Sequence, residues 1–447
     1  MDGPESPTTQ PTEPRHRGLL RRARDGDLGR STAWMLASQL GQTATQAVYF
    51  VLIARALGAG SYGVFVAAAG LAAAVGPFGT FGMAMIVMRD AARAPEHVRV
   101  YWGNALVVTL AFGTVLAAIF TAAAGLLLPA QSSLALIACV AAADLLFANL
   151  HYVNSQTFLG MKLARRSAQM PLLLNVMRLA VAGTFMAAGG ASPTTWAMLY
   201  AGSSAAAAVT GTIIAARSFG RPSFDVTIAR REVRAGAVYA FGFSTTAVYN
   251  DIDKPLVARW ASVEAAGAYA AGYRVVNIAL APVRSLLFVA MSRFFQHGVN
   301  GVTATAAYAR KLAPTAAGFG VLAGVALYLA APLAPVFFGA GFEDASDTMR
   351  LLAVMPLLKA VQNLGGDALT GADHHLTRSI IQLVVTVVNI ALNAWWIPLY
   401  SYRGAIGATL VCDVVLLVLL WSTLGYYVAR ARTRLREAGP PEAPVTP

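Results

Sequence analysis

The sequence predicts an all-α integral membrane protein of about twelve transmembrane helices, built as two six-helix bundles that repeat one another in parallel. Three observations carry that expectation. Of the 447 residues 57% are hydrophobic and only 12% charged, which is too apolar for ordinary globular domains. Apolar stretches of twenty or more residues recur from Ser31 to Val428, the length that a bilayer-spanning helix requires; barrel strands would be half as long and would alternate. The chain also matches itself without a gap at an offset of about 204 residues, from Leu52, Ala54 and Arg55 to Leu256, Ala258 and Arg259.

The expected spans are 32–54, 62–88, 102–127, 133–158, 171–190, 194–216, 235–258, 267–292, 312–338, 347–371, 378–399 and 405–429. They divide the chain into a basic N-terminal arm (1–30), a first bundle (31–217), a linker (218–234), a second bundle (235–430) and a tail (431–447). The arm is rich in Pro and polar residues and has no period, so it reads as disordered and not as a cleaved signal sequence. Loops between spans are short, and no segment outside them is long enough to bury a soluble core.

Charge placement orients the chain. With both termini cytoplasmic, twenty-five of the 34 Lys and Arg residues fall on the cytoplasmic side. The opposite side holds Arg55, Arg259, Arg350 and Arg403, and the spans hold Arg178, Lys254, Arg274, Arg284 and Lys359. The net charge of +13 is therefore mostly topology. Scattered over short loops, these arginines offer no platform for nucleic acid.

The self-match continues beyond the arginine. Gly63 corresponds to Gly267, Phe65 to Tyr269 and Arg89 to Arg293. A repeat that keeps its orientation relates two bundles by an axis along the membrane normal and leaves a central cavity between them.

The segment "ARALGAGSYGVFVAAAGLAAAVGPFGTFGMAMIVMR" resembles the opening helices of bacterial polysaccharide-exporter and O-antigen repeat-unit flippases. Their superfamily also holds lipid II flippases and multidrug and toxin extrusion transporters. The matching positions are Ala54, Arg55, Leu57, Gly58, Tyr62, Gly63, Phe65 and Arg89. The second half carries a counterpart in "DKPLVARWASVEAAGAYAAGYRV", with Arg259, Gly267 and Tyr269, and Arg293 farther on. The resemblance is sharp over about 45 residues in each half and otherwise rests on topology. It implies alternating access and passage of a polyprenyl-pyrophosphate-linked oligosaccharide across a bacterial plasma (inner) membrane, for O-antigen, exopolysaccharide or a related polymer. It also implies a polysaccharide polymerase and a chain-length regulator as partners. No cofactor is expected.

Charges within spans are costly and by default face a cavity or one another. Arg274 and Arg284 lie ten residues apart, close to one helical face, with no acid within four residues. With Arg178 and Lys359 they are candidates for a cationic track that holds pyrophosphate, since guanidinium pairs with phosphate in bidentate fashion. Gln39, Gln42 and Gln46 form one stripe of span one that suits either sugar hydroxyls or helix-to-helix hydrogen bonds. Asn149, Asn154, Gln156, Asn389 and Asn393 are weaker forms of that signal. Asp251 and Lys254 are spaced to pair at i, i+3, leaving Asp253 free to meet Arg274; these three are candidates for a gate. "GPFGTFG" lets span two kink.

Two alternatives remain open. A cation-coupled antiporter of the same superfamily usually wants a carboxylate in the first bundle; span one has none, and Asp144 is the only acid in the first six spans. A membrane glycosyltransferase or polymerase is the rival from the enzyme class. It would read Asp251-x-Asp253 as a metal motif, but that pair falls at the outer end of span seven. The adjacent His374 and His375 diverge by about 100° on a helix and form no zinc pair. Cys139 and Cys412 lie within spans, where packing is their expected role.

Overall fold

The computed structural model describes residues 16–190 and 192–437, with side chains between 39 and 433 except at 191, 288, 289 and 292. Among the described residues the chain is helical throughout, without strands. α1 (His16–Val75) runs through the first expected span and the first part of the second, and turns at Gly58, whose φ of 70° favours glycine. Its start includes residues 16–30 of the expected disordered arm, and residues 1–15 lie outside the described residues.

The Gly- and Pro-rich stretch breaks span two as its composition suggests. A 3₁₀ turn (Gly76–Gly79) is followed by positive φ at Phe81 and Gly82, then by α2 (Met83–Arg93). α3 (Val98–Ala123) and α4 (Leu134–Ala141) follow. A π-helical turn (Ala142–Phe147) carrying Asp144 joins α4 to α5 (Ala148–Gly160). The Asn149 amide donates to the carbonyls of Gly76 and Leu145, at 2.9 and 3.0 Å, and so satisfies backbone at both breaks. α6 (Ala164–Ala187) contains Pro171, which leaves the Ser167 carbonyl without its helical donor; the Ser155 hydroxyl supplies one at 3.0 Å. α7 (Pro193–Phe219) closes the first half.

The second half starts with α8 (Val226–Asp251), whose N-cap Asp225 accepts from the amides of Thr227 and Ile228. It continues through α9 (Asp253–Trp260), α10 (Val263–Ala279), α11 (Ala281–Gly298), α12 (Val302–Ala330), α13 (Ala334–Phe338) and α14 (Glu343–Leu351). α15 (Met355–Gly371), α16 (His375–Tyr400) and α17 (Tyr402–Glu437) complete it.

Among the described residues, eight helical stretches are long and apolar enough to cross a membrane. One of these, Gln39–Gly79, covers parts of two expected spans. Spans seven, eight and ten do not qualify, and each is interrupted: α8 and α9 part at Ile252, α10 and α11 at Leu280, α14 and α15 at residues 352–354. They also carry most of the intramembrane charge, with Asp251, Asp253, Lys254, Arg274, Arg284, Lys359 and Asp367.

Packing differs between the two ends of the molecule. The largest buried cluster draws on both halves, from Phe50, Ile53 and Tyr62 to Tyr269, Phe338, Phe342 and Ile406, near the loops that carry few basic residues. Toward the basic end the cluster around Trp102 and Phe158 takes in Ala229 of α8, and a further cluster around Phe294 and Leu364 lies within the second half.

Candidate functional site

Where α1 meets α10, the motif glycines lie back to back. A Cβ on Gly63 would fall 1.7 Å from the Val263 carbonyl oxygen, and one on Gly267 2.1 Å from that of Ala59. Val263 and Ala59 are themselves equivalent under the repeat offset, so the contact is reciprocal. Aromatic rings continue it across the halves: Phe50 meets Phe338 at 5.3 Å and Tyr62 meets Phe342 at 6.2 Å between centroids. Gly70 admits the α8–α9 break, with Asp251 O 3.1 Å and Pro255 3.3 Å from where its Cβ would stand.

The charged residues of "YNDIDKPLVARW" gather at that break. Lys254 Nζ is 2.9 Å from Asp251 Oδ1, the i, i+3 pair that the spacing predicts, and 3.2 Å from Asp253 Oδ1; it also lies 4.4 Å from the Tyr273 ring. Asp253 is not free for Arg274: its second oxygen accepts from the Tyr269 hydroxyl. The reason is the one-turn spacing of Tyr269 and Tyr273, which puts two phenols on the face of α10 opposite the break.

The four expected track cations divide into two kinds. Arg178 bonds Asp144 (3.3 Å) and Ser204 (3.1 Å) and covers the Tyr200 ring at 4.1 Å, while the Tyr200 hydroxyl donates to Asp144 at 2.7 Å. Lys359 repeats this chemistry in the other half: it bonds Asp413 at 2.7 Å and covers Tyr249 at 4.8 Å, and the Tyr249 hydroxyl donates to Asp413 at 2.5 Å. Both are therefore charge-compensated within their own half, each by an acid from a neighbouring helix that sequence spacing could not pair with it.

Arg274 and Arg284 have no acid partner among the described residues. Arg274 is half-buried at the junction, 5.9 Å from the Phe50 ring, and its charge acts on Tyr49, Tyr62, Asp251 and Tyr200. Arg284 is exposed and donates to the Asn277 carbonyl across the α10–α11 break. That break, with Pro282 in the first turn of α11, means the two do not share one straight helix as the ten-residue spacing suggested. Holding a half-buried guanidinium without a direct ion pair is costly, which is why such groups mark ligand paths.

The amides separate in the same way. Asn154 bonds Trp102 and Thr212 and so joins helices, Asn393 bonds Asn389 one turn away within α16, and all three amides are buried away from sugars. Gln39 is exposed, and Gln42 and Gln46 are half-buried on α1. Arg55, at the end of span one, and Arg259, at the end of α9, are exposed. Toward the basic end the halves meet through α8: a Cβ on Gly82 would lie 2.1 Å from Gly236 O, and Arg89 bonds Glu232 at 2.6 Å. Glu232 was not apparent as its partner, because 143 residues separate them. Arg293, the repeat counterpart of Arg89, is exposed and has no ion pair among the described residues. His374 stacks on Tyr427 and His375 is exposed; among the described residues no cluster could hold a metal.

The architecture matches solved carriers of the MOP superfamily. The lipid II flippase MurJ in its inward closed conformation superposes with a TM-score of 0.69 at 14% identity, over 88% of this chain and 87% of that one. An inward-facing multidrug resistance MATE family transporter of the superfamily gives 0.64 at 14% identity, over 90% and 96%. The outward-facing conformation of such a transporter gives 0.63 at 13%, over the same shares. No curated protein matches the chain in sequence. The family model described as "Polysaccharide biosynthesis protein" matches residues 28–296, more than half of the chain, and the protein belongs to that family.

Proposed function

We propose that the protein is a flippase that carries a polyprenyl-pyrophosphate-linked oligosaccharide repeat unit from the cytoplasmic to the outer leaflet by alternating access. The polymer it serves is a surface polysaccharide of the O-antigen or exopolysaccharide type, and the membrane is a bacterial plasma membrane. The observation that carries this reading is the unpaired Arg274 at the junction, with Arg284 one helix segment away. Two guanidiniums without carboxylates are matched to a pyrophosphate, whereas an organic cation would be repelled. Arg178 and Lys359 enter the reading as reserve charges that meet the cargo only by exchanging Asp144 or Asp413.

The largest shared core lies at the sparsely basic end, whereas at the basic end the halves meet through α8, and this difference supports a cytoplasm-facing conformation. Alternating access then consists of opening the Gly63–Gly267 crossing and closing the basic end. The cation-coupled antiporter reading keeps one specific support: Asp413 is fully buried and its Oδ2 has no hydrogen-bond partner. Arg274→Ala and Arg284→Ala, compared at equal protein levels for polymer output, test the proposal. Strong loss with either is expected, and full output from both sinks it.

A further inference from the structure

At the sparsely basic end of the second half, a cleft of about 920 Å³ opens between the α9–α10 turn and the α16–α17 turn. Its walls include Trp260, Trp395, Trp396 and Tyr400, with Ser262 and Arg403 among the polar groups. We propose that this cleft is a carbohydrate-binding site that receives the sugar portion of the cargo on the side opposite the basic loops. The inference rests on the flippase reading, which by itself assigns nothing to this cleft.

Apolar C–H faces of sugar rings stack on indole and phenol faces, while the ring hydroxyls take hydrogen bonds from serine, guanidinium and backbone. Both kinds of surface are present within one cleft whose volume falls in the range of small-molecule sites. Trp260, Trp395 and Tyr400 expose 42, 64 and 62% of their surface, so their ring faces are open to a ligand.

Trp396 is held differently. Its ring lies 3.1 Å from where a Cβ on Gly407 would stand, and its carbonyl 2.3 Å from one on Gly404, so α17 can approach only because both positions are glycine. Arg403 is fixed by Asp347 at 2.6 Å and lies 5.9 Å from the Tyr402 ring. Ser401 closes the turn at φ 56°, ψ −143°, a conformation that favours glycine, yet the chain places a hydroxyl there. An interfacial aromatic belt would instead set indoles on a convex surface facing lipid, with no second wall and no glycine floor.

The test uses full-length protein in lipid nanodiscs. The probe is the glycan pool released by mild acid from the host's lipid-linked oligosaccharides, with finished polysaccharide as a second arm. The difference in tryptophan emission between wild type and a Trp260→Phe, Trp395→Phe variant reports the cleft indoles. The released glycans should cut acrylamide quenching of these indoles at least twofold. Trp260→Ala with Trp395→Ala should abolish glycan binding in a filter assay. Arg274→Ala should retain it, which separates this site from the pyrophosphate path. Protection by polymer as well as by repeat units supports the same site with a second source of sugar. The proposal is overturned if the glycans give no protection, or if nanodiscs of dibrominated phosphatidylcholine quench these indoles more than acrylamide does, the signature of a lipid-facing belt.

Discussion

The exits of spans one and seven occupy equivalent places in the repeat but are built from opposite materials. Ala47, Tyr49 and Phe50 stand in the first half where Asp251, Asp253 and Lys254 stand in the second. Phe50 packs between Tyr62 and Phe338, whereas Lys254 binds two carboxylates and faces Tyr273. Gly70 likewise stands where the second half has Arg274. The shared residues, Gly63 and Gly267 above all, build the crossing between halves. The unshared ones supply the charge. The self-match in sequence thus follows the crossing, and the departures from it follow the charge.

The largest expected effect breaks this comparison on its charged side. Lys254→Met leaves Asp253 buried without its cation and should cost about 3–5 kcal/mol, while Phe50→Leu at the equivalent place should cost less than about 1.5 kcal/mol. Thermal unfolding in detergent, read for both, checks the order. Next comes the shared crossing: Gly63→Ala and Gly267→Ala each drive a methyl into backbone of the other half and should destabilise by about 1–3 kcal/mol. Equal losses sharpen the reciprocity, and a tolerated Gly267→Ala breaks it.

A smaller asymmetry separates the two distal arginines. Arg89→Ala removes the bond to Glu232 and should cost about 1 kcal/mol or less, whereas Arg293→Ala should change stability by less than about 0.5 kcal/mol. The smallest effect belongs to the linker. Hydrogen bonds from the Thr227 hydroxyl and the amides of Ile228 and Thr227 hold the Asp225 carboxyl below its ordinary range. A depressed folded value means that the cap contributes fully above the unfolded carboxylate range and fades as pH falls through the folded one. Protection of the amides at the start of α8, taken relative to their intrinsic exchange rates, should fall with acidification in wild type and lose that dependence in Asp225→Ala.

Much of this was legible in the sequence, and the limits are physical. Apolar length located the helices, and the Gly- and Pro-rich stretch located the break in span two, since both are local signals. The glycine motif was visible, but its two copies meeting face to face is a contact across 204 residues and leaves no trace in spacing. Arg274 and Arg284 stood out because no acid lies near them in sequence. Arg178 and Lys359 looked the same and are not, because Asp144 and Asp413 reach them from neighbouring helices, each with a tyrosine hydroxyl on the acid. Asp253 was read as free because its partner, Tyr269, lies sixteen residues on, beyond a turn.

The central claim is that uncompensated charge at the junction carries the pyrophosphate of a lipid-linked oligosaccharide. It is tested most directly by reconstituting the protein into proteoliposomes and following movement of labelled lipid-linked repeat units between leaflets, for wild type and Arg274→Ala. The account predicts transfer without any change in glycosidic bonds by the wild type, and at least a tenfold slower rate for Arg274→Ala with folding unchanged. Equal rates for the two proteins would contradict it.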